Sequence, residues 1–276
     1  MFTRTTGLLI VPAWLAAMTW LVANDVWPSW TALDPPPLRV SQQPRNKESR
    51  SQFTISDELG HKVGTVWTTY RADETAVRRD DLIWVEWFPV DITPLRISVS
   101  SDYTVGGVLD EFTIRVETEE ADVKLHGERF PSDFSFTFES GPIERAFKIP
   151  LSSGGLITGA FNPFSELGDL RVGTKWRMQV VNPVALLTGV GNRFIPLLVE
   201  VTGEERIATA EGVKNCLVVE SPNAKAWMDA DGRVQLQEVT LPVGGTFRIV
   251  REAGFDEAER VKARRTPLGG RRTKQR

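Results

Sequence analysis

The chain has 276 residues, 41% hydrophobic and 25% charged, and its nine tryptophans and fourteen phenylalanines exclude an intrinsically disordered protein. One cysteine, Cys216, and two histidines, His61 and His126, exclude an intramolecular disulfide and a cysteine-based zinc cluster and leave little for a His-dependent triad. The net charge of −3 is unevenly spread: from Arg260 onward there are eight basic residues and no acid, which leaves −11 for residues 1–259.

Residues 1–30 read as a membrane address. Positions 7–23 form an uncharged, mostly apolar run of 17 residues ending at Asn24-Asp25. That length lies between a signal-peptide core and a full membrane span of about 20 residues. Leu15 and Leu21 stand two positions before Ala17 and Ala23, which disfavours cleavage, and Trp20, Trp27 and Trp30 lie where an interfacial aromatic belt would sit. The expectation is an uncleaved signal-anchor forming a transmembrane helix, with a cleaved signal peptide as the alternative. It places the protein at the cell membrane, single-pass, with its main domain extracytoplasmic. No cysteine near the N-terminus is available for acylation. Residues 31–51 read as a linker, because Asp34-Pro35-Pro36-Pro37 favours an extended backbone and positions 41–51 are polar and charged.

Residues 52–259 read as a mainly β domain, an antiparallel meander forming a curved sheet or open half-barrel. Phe134-Ser135-Phe136-Thr137-Phe138 puts three rings on one face of a strand, and Arg145-Ala146-Phe147-Lys148-Ile149 continues the alternation. Further strands are expected at 197–202, 216–220, 225–229, 234–239 and 246–251. Turns are expected at Gly203, Gly212, Ser221-Pro222-Asn223, Asp231-Gly232 and Gly244-Gly245. Leu82-Ile83-Trp84-Val85-Glu86-Trp87-Phe88 is apolar on both faces, so it needs cover on both. An ordinary core, a sheet folded around a cavity, or a partner surface would each provide that cover. Residues 256–263 have an acidic start and a basic end that suit a helix dipole. Residues 260–276 are expected to be a basic disordered tail, either solvated or an electrostatic tether to an anionic surface. Nucleic-acid binding is disfavoured because the acidic body repels phosphate.

The segments Glu58-Leu59-Gly60…Val63-Gly64-Thr65-Val66-Trp67 and Glu166-Leu167-Gly168…Val172-Gly173-Thr174-Lys175-Trp176 echo each other. Either two related halves or convergent use of a Gly-Thr strand entry explains the echo.

The order of features in the second half is Val172-Gly173-Thr174…Trp176, Asn182-Pro183, Val201-Thr202-Gly203-Glu204-Glu205 and Trp227-Met228-Asp229-Ala230-Asp231-Gly232. Together they resemble the β-rich accessory domain beside transglutaminase-like cores in bacterial envelope proteins, which is similar to the half-barrels of periplasmic lipoprotein carriers. The resemblance covers roughly residues 52 to 255. It implies a fold and a compartment and transfers no catalytic residue. Asn182-Pro183 departs from it, since the family tends to place an aspartate before that proline.

Cys216 lies in a strand pattern and reads as a small buried core residue. Asp229-Ala230-Asp231-Gly232, with Glu238 beyond, contains part of a calcium-loop pattern but reads as a hairpin turn. Glu204-Glu205 and Asp80-Asp81 place neighbouring acids on opposite strand faces and read as solvated edges. Gly106-Gly107, Gly154-Gly155 and Gly244-Gly245 fit turns better than phosphate cradles. No catalytic constellation, metal site or cofactor is expected. The favoured expectation is a membrane-anchored, non-catalytic binding domain for a lipid, an acyl chain or a protein segment. Its apolar surface would be lined by Trp67, Trp84, Trp87, Phe134, Phe136, Phe138, Trp176 and Trp227. The alternative is a structural scaffold subunit of an envelope assembly, and a third, enzymatic reading requires Cys216 beside a histidine.

Overall fold

The computed structural model describes residues 48–87, 94–104, 108–150, 155–157, 167–181, 194–241 and 245–268. Among these residues, fifteen strands make one open sheet. They are β1 (Glu48–Ser56), β2 (Lys62–Ala72), β3 (Ala76–Val85), β4 (Leu95–Thr104), β5 (Leu109–Glu117), β6 (Asp122–Arg129), β7 (Asp133–Ser140) and β8 (Ile143–Pro150) in the first half. The second half holds β9 (Gly155–Ile157), β10 (Lys175–Val181), β11 (Phe194–Thr209), β12 (Gly212–Ser221), β13 (Ala224–Asp229), β14 (Val234–Leu241) and β15 (Gly245–Arg251), followed by the helix α1 (Glu257–Arg265).

The spatial order is β8-β7-β6-β5-β4-β3-β2-β1-β15-β14-β13-β12-β11-β10-β9. The first and last strands therefore pair at the middle of the sheet, antiparallel, with Phe53 opposite Arg251 and Ile55 opposite Ile249. From that seam each half meanders outward, and β8 and β9, consecutive in the chain, stand at opposite edges. Every neighbouring pair is antiparallel except β9 with β10, which is parallel.

One face of the sheet carries a continuous core. Period-two alternation sends Val66, Ile83, Ile97, Ile114, Leu125 and Phe136 to it, all 4% exposed or less. The opposite face carries cross-strand ion pairs such as Arg115–Asp122, Lys124–Glu139 and Lys175–Glu200. The three phenylalanines of β7 fall together on the inner face as expected. Phe136 stacks on Phe147 of β8 with centroids 5.1 Å apart and an interplanar angle of 7°. Gly127 of β6 is what lets these rings meet, since a Cβ there would lie 2.3 Å from the Phe112 ring.

On the outer face, α1 covers β2 and β3. Trp67, Leu82 and Ala263 form a buried cluster, with Trp84 and Phe255 packed against it. This explains why 82–85 is apolar on both sides: Ile83 and Val85 face the core while Leu82 and Trp84 face the helix. Both ends of α1 are pinned. The Asp256 carboxylate accepts the Glu259 N–H at 2.9 Å, and the Asp256 N–H donates to Gln52 Oε1, which also accepts the Trp67 indole N–H. At the other end, Arg96 donates to the carbonyls of Ala263, Arg264 and Thr266 while Glu117 grips the same guanidinium with two contacts of 2.8 and 2.9 Å.

These contacts correct several boundaries. Residues 260–265 belong to a packed helix rather than to a disordered tail, because Arg96 satisfies its last carbonyls. Strand β1 begins at Glu48, inside the expected linker. Gly203 is no turn: it lies within the continuous β11, at a register shift between Val201 and Gly203. The echo also diverges, since Gly64 is a strand residue while Gly173 has φ 88°. Trp67 then faces α1, whereas Trp176 joins the inner core. Gly155 opens β9 and Gly245 opens β15, whereas Gly106-Gly107, Gly154 and Gly244 lie outside the described residues. So do the expected anchor, residues 1–30, and positions 31–47. Among the described residues no helix is long and apolar enough to cross a membrane.

Candidate functional site

The eight aromatic residues expected to line one apolar surface fall into separate places. Phe134, Phe136, Phe138 and Trp176 belong to the inner core, at 2, 0, 7 and 1% exposure. Trp67 and Trp84 lie beneath α1, Trp227 sits in a small outer-face cluster, and Trp87 is exposed. The structure thus brings the three phenylalanines together, keeps Trp176 in the same contiguous core, and separates the other four from them.

Trp227 packs with Cys216, Val218 and Leu236. Its indole N–H donates to Glu205 Oε2 at 2.6 Å, and Lys225 lies 4.8 Å from the ring centroid while bridging Glu205 and Glu220. The Trp227 hydrogen bond, and then Lys225, hold the Glu205 carboxyl below the usual carboxylate range. Glu205 is therefore a partnered group, and at 48% side-chain exposure it keeps the solvated position that its sequence suggests. Cys216 is buried, and that burial pushes its thiol upward, away from nucleophilic character. Neither histidine joins its cluster. His61 contacts Asp57 in the β1–β2 turn, and His126 contacts Thr113 and Glu111 on the β5–β6 side.

The Asp229 carboxylate holds a turn together. It accepts the N–H groups of Asp231 and Arg233 and the side-chain amide of Gln235, with Lys214 at 3.5 Å. Gly232 at φ 71° completes the hairpin, in line with the turn expected there. A cleft of about 350 Å³ lies between this turn and residues 167–171, with Leu217 in its wall. Asp169, Asp229 and Asp231 line it, and the hydrogen bonds just described already engage Asp229. Among the described residues no group of three or more His, Cys, Asp or Glu side chains could hold a metal ion.

A polar cluster inside the core escaped the sequence reading. Arg79 and Asp81 of β3, 1% and 5% exposed, form an ion pair at 2.8 Å on the inner face. Thr68 donates to Asp81 at 2.6 Å, and the Arg79 guanidinium lies 5.6 Å from the Tyr70 ring centroid. Asp81 contributes most to holding Arg79 protonated against its burial, while burial raises the Tyr103 hydroxyl nearby. The expectation of a solvated Asp80-Asp81 edge holds for Asp80, which faces Arg71 and Arg78 outside, and fails for Asp81. The signal lay in phase: Val77, Arg79, Asp81, Ile83 and Val85 alternate onto one face, and the apolar members fix which face that is.

No family model matches the chain, and no curated protein or solved structure matches it.

Proposed function

We propose that the chain is a membrane-anchored, extracytoplasmic, non-catalytic binding domain whose curled sheet receives an extended protein segment along its unclosed edge. One observation carries this reading: the two edge strands, β8 and β9, are joined by residues 151–154 alone. Laid flat, fifteen strands would separate their edges by roughly 67 Å at a spacing of about 4.8 Å. The chain from Pro150 to Gly155 reaches at most about 18 Å. That disparity supports a sheet curled into an open half-barrel, with its edges close together and, among the described residues, not hydrogen-bonded to each other.

Among the described residues β8 pairs with β7 alone, which leaves its other row of N–H and C=O groups for an added strand. Ile143 is half exposed and Phe147 half buried on that edge. An incoming apolar side chain in phase with Phe147 would extend the row of rings begun by Phe136. Glu144, Arg145 and Lys148 flank it with charges that restrict which segments pair. A protein segment fits better than an apolar small molecule, because Phe134, Phe136 and Trp176 already have protein neighbours on every side. The compartment follows from the apolar run at residues 7–23 and from the resemblance to envelope accessory domains.

Native mass spectrometry of the chain purified from the cells that make it, with amide exchange across β8, tests the proposal. A co-purifying polypeptide whose release accelerates exchange in β8 is the expected result. A lipid as the sole adduct, with β8 exchange unchanged by its extraction, overturns it.

A further inference from the structure

The strand-addition reading leaves open which segment the β8 edge receives, and the residues along that edge narrow the choice. Ile143-Glu144-Arg145-Ala146-Phe147-Lys148-Ile149 is close to a chemical palindrome about Ala146. Isoleucine stands at both ends, Glu144 mirrors Lys148, and Arg145 mirrors Phe147.

Within its own chain this edge is only half answered. Strand β7 puts Glu139 directly opposite Glu144, and Glu139 already holds Lys124 at 3.2 Å. Glu144 and Arg145 are exposed and, among the described residues, have no ion-pair partner. Lys148 lies 3.8 Å from Asp133 and 5.5 Å from the Phe130 ring centroid, with 64% of its side chain exposed.

Two copies of one edge strand, related by a two-fold axis through the sheet, pair antiparallel, and opposite residues then share a face. Every such register is therefore centred on a single residue. Centring on Glu144 or on Arg145 sets that charge against its own copy. Centring on Phe147 sets Glu144, Arg145 and Lys148 opposite Pro150, Ile149 and Ala146, so no charge is answered. Centring on Ala146 sets Glu144 opposite Lys148 twice, on the outer face. On the inner face it sets Ile143 opposite Ile149 and Arg145 opposite Phe147, a pairing suited to cation–π contact. The two Phe147 rings become diagonal neighbours, which carries the row of Phe112, Phe136 and Phe147 across the axis.

We infer that the strand received by β8 is β8 of a second copy of this chain, centred on Ala146, so that two sheets join edge to edge. This rests on the strand-addition reading and names its partner. The charges that turn other segments away are the ones a second copy answers.

The test is a concentration series of the full chain in mild detergent, followed by sedimentation and by amide exchange across β8. Any contribution of residues 7–23 is common to all variants. A monomer–dimer equilibrium with slowed β8 exchange in the dimer is the expected result. Glu144→Lys and Lys148→Glu should each weaken the dimer on the order of tenfold, because each sets like charges opposite one another at two places. Mixing the two variants should restore dimerisation, as should combining both changes in one chain. A dimer indifferent to either reversal, or one that the mixture fails to restore, overturns the inference. So does a monomer at every concentration whose β8 is slowed by a different polypeptide, which leaves strand addition standing with another partner. A monomer holding no polypeptide, with freely exchanging β8, overturns the strand-addition reading as well.

Discussion

The inner face of β7 and the outer face of β3 are both apolar, yet they are built in different ways. Phe134, Phe136 and Phe138 alternate with Ser135 and Thr137, and the polar set looks outward. In β3, Leu82 and Trp84 stand where polar residues would otherwise be, because α1 rather than water lies over them. Alternation therefore reports the solvent on one side of a strand, and its failure reports a second layer. The helix supplying that layer lies more than 170 residues later in the chain, out of sight of any local window.

The largest test of this contrast is Phe136→Ala on the inner face. It removes a fully buried ring from contact with Phe112, Phe134 and Phe147 and should cost about 4 kcal/mol in urea unfolding. Next comes Asp81→Leu, which leaves the Arg79 guanidinium without its counter-charge and should cost about 3 kcal/mol. The double variant Arg79→Met/Asp81→Leu should recover most of that loss, and failure to recover would mean that the pair does more than balance its own charges.

On the outer face, Arg96→Ala should cost about 2 kcal/mol by leaving the last carbonyls of α1 without their donor. Amide exchange should then rise through Glu257–Arg265 and leave β7 unchanged. Exchange rising equally in both would merge the two regions into one cooperative unit.

The smallest effect concerns Glu205. Its carboxyl is held below its ordinary value, so its contribution is present above the unfolded carboxylate pKa and fades as pH falls through the lowered folded value. The tryptophan emission difference between the wild-type chain and Glu205→Gln should accordingly shrink on acidification below the usual carboxylate range. A difference that persists unchanged would detach Glu205 from Trp227.

Strands with large apolar residues in alternation were legible: 134–138, 145–149 and most of 197–251. Helix 256–263 was legible from its charges, and Cys216 from its apolar neighbours. β4 was missed although its burial alternates cleanly, because Ser98, Ser100, Ser101 and Asp102 dilute the apolar phase. Gly203 misled because a glycine that permits a bulge and a glycine that makes a turn look alike in sequence. The candidate surface was legible only as a set of aromatic residues. Which face each one joins depends on register and on α1, and neither is a local property. Asp81 was misread for the reverse reason, as adjacency to Asp80 outweighed its phase with Ile83.

The pairing of β1 with β15 has a consequence for how the chain comes to be folded. Phe53 meets Arg251 across nearly the whole domain, so this central seam cannot form until the last strand has been made. Until then β1 and the growing end of the second meander are raw edges, available to any passing strand. A loop closed over so many residues is slow to find its register. Strand β1 therefore stays without this partner until β15 has been made. A truncation that removes only β15 and α1 would leave two half-sheets with no common centre.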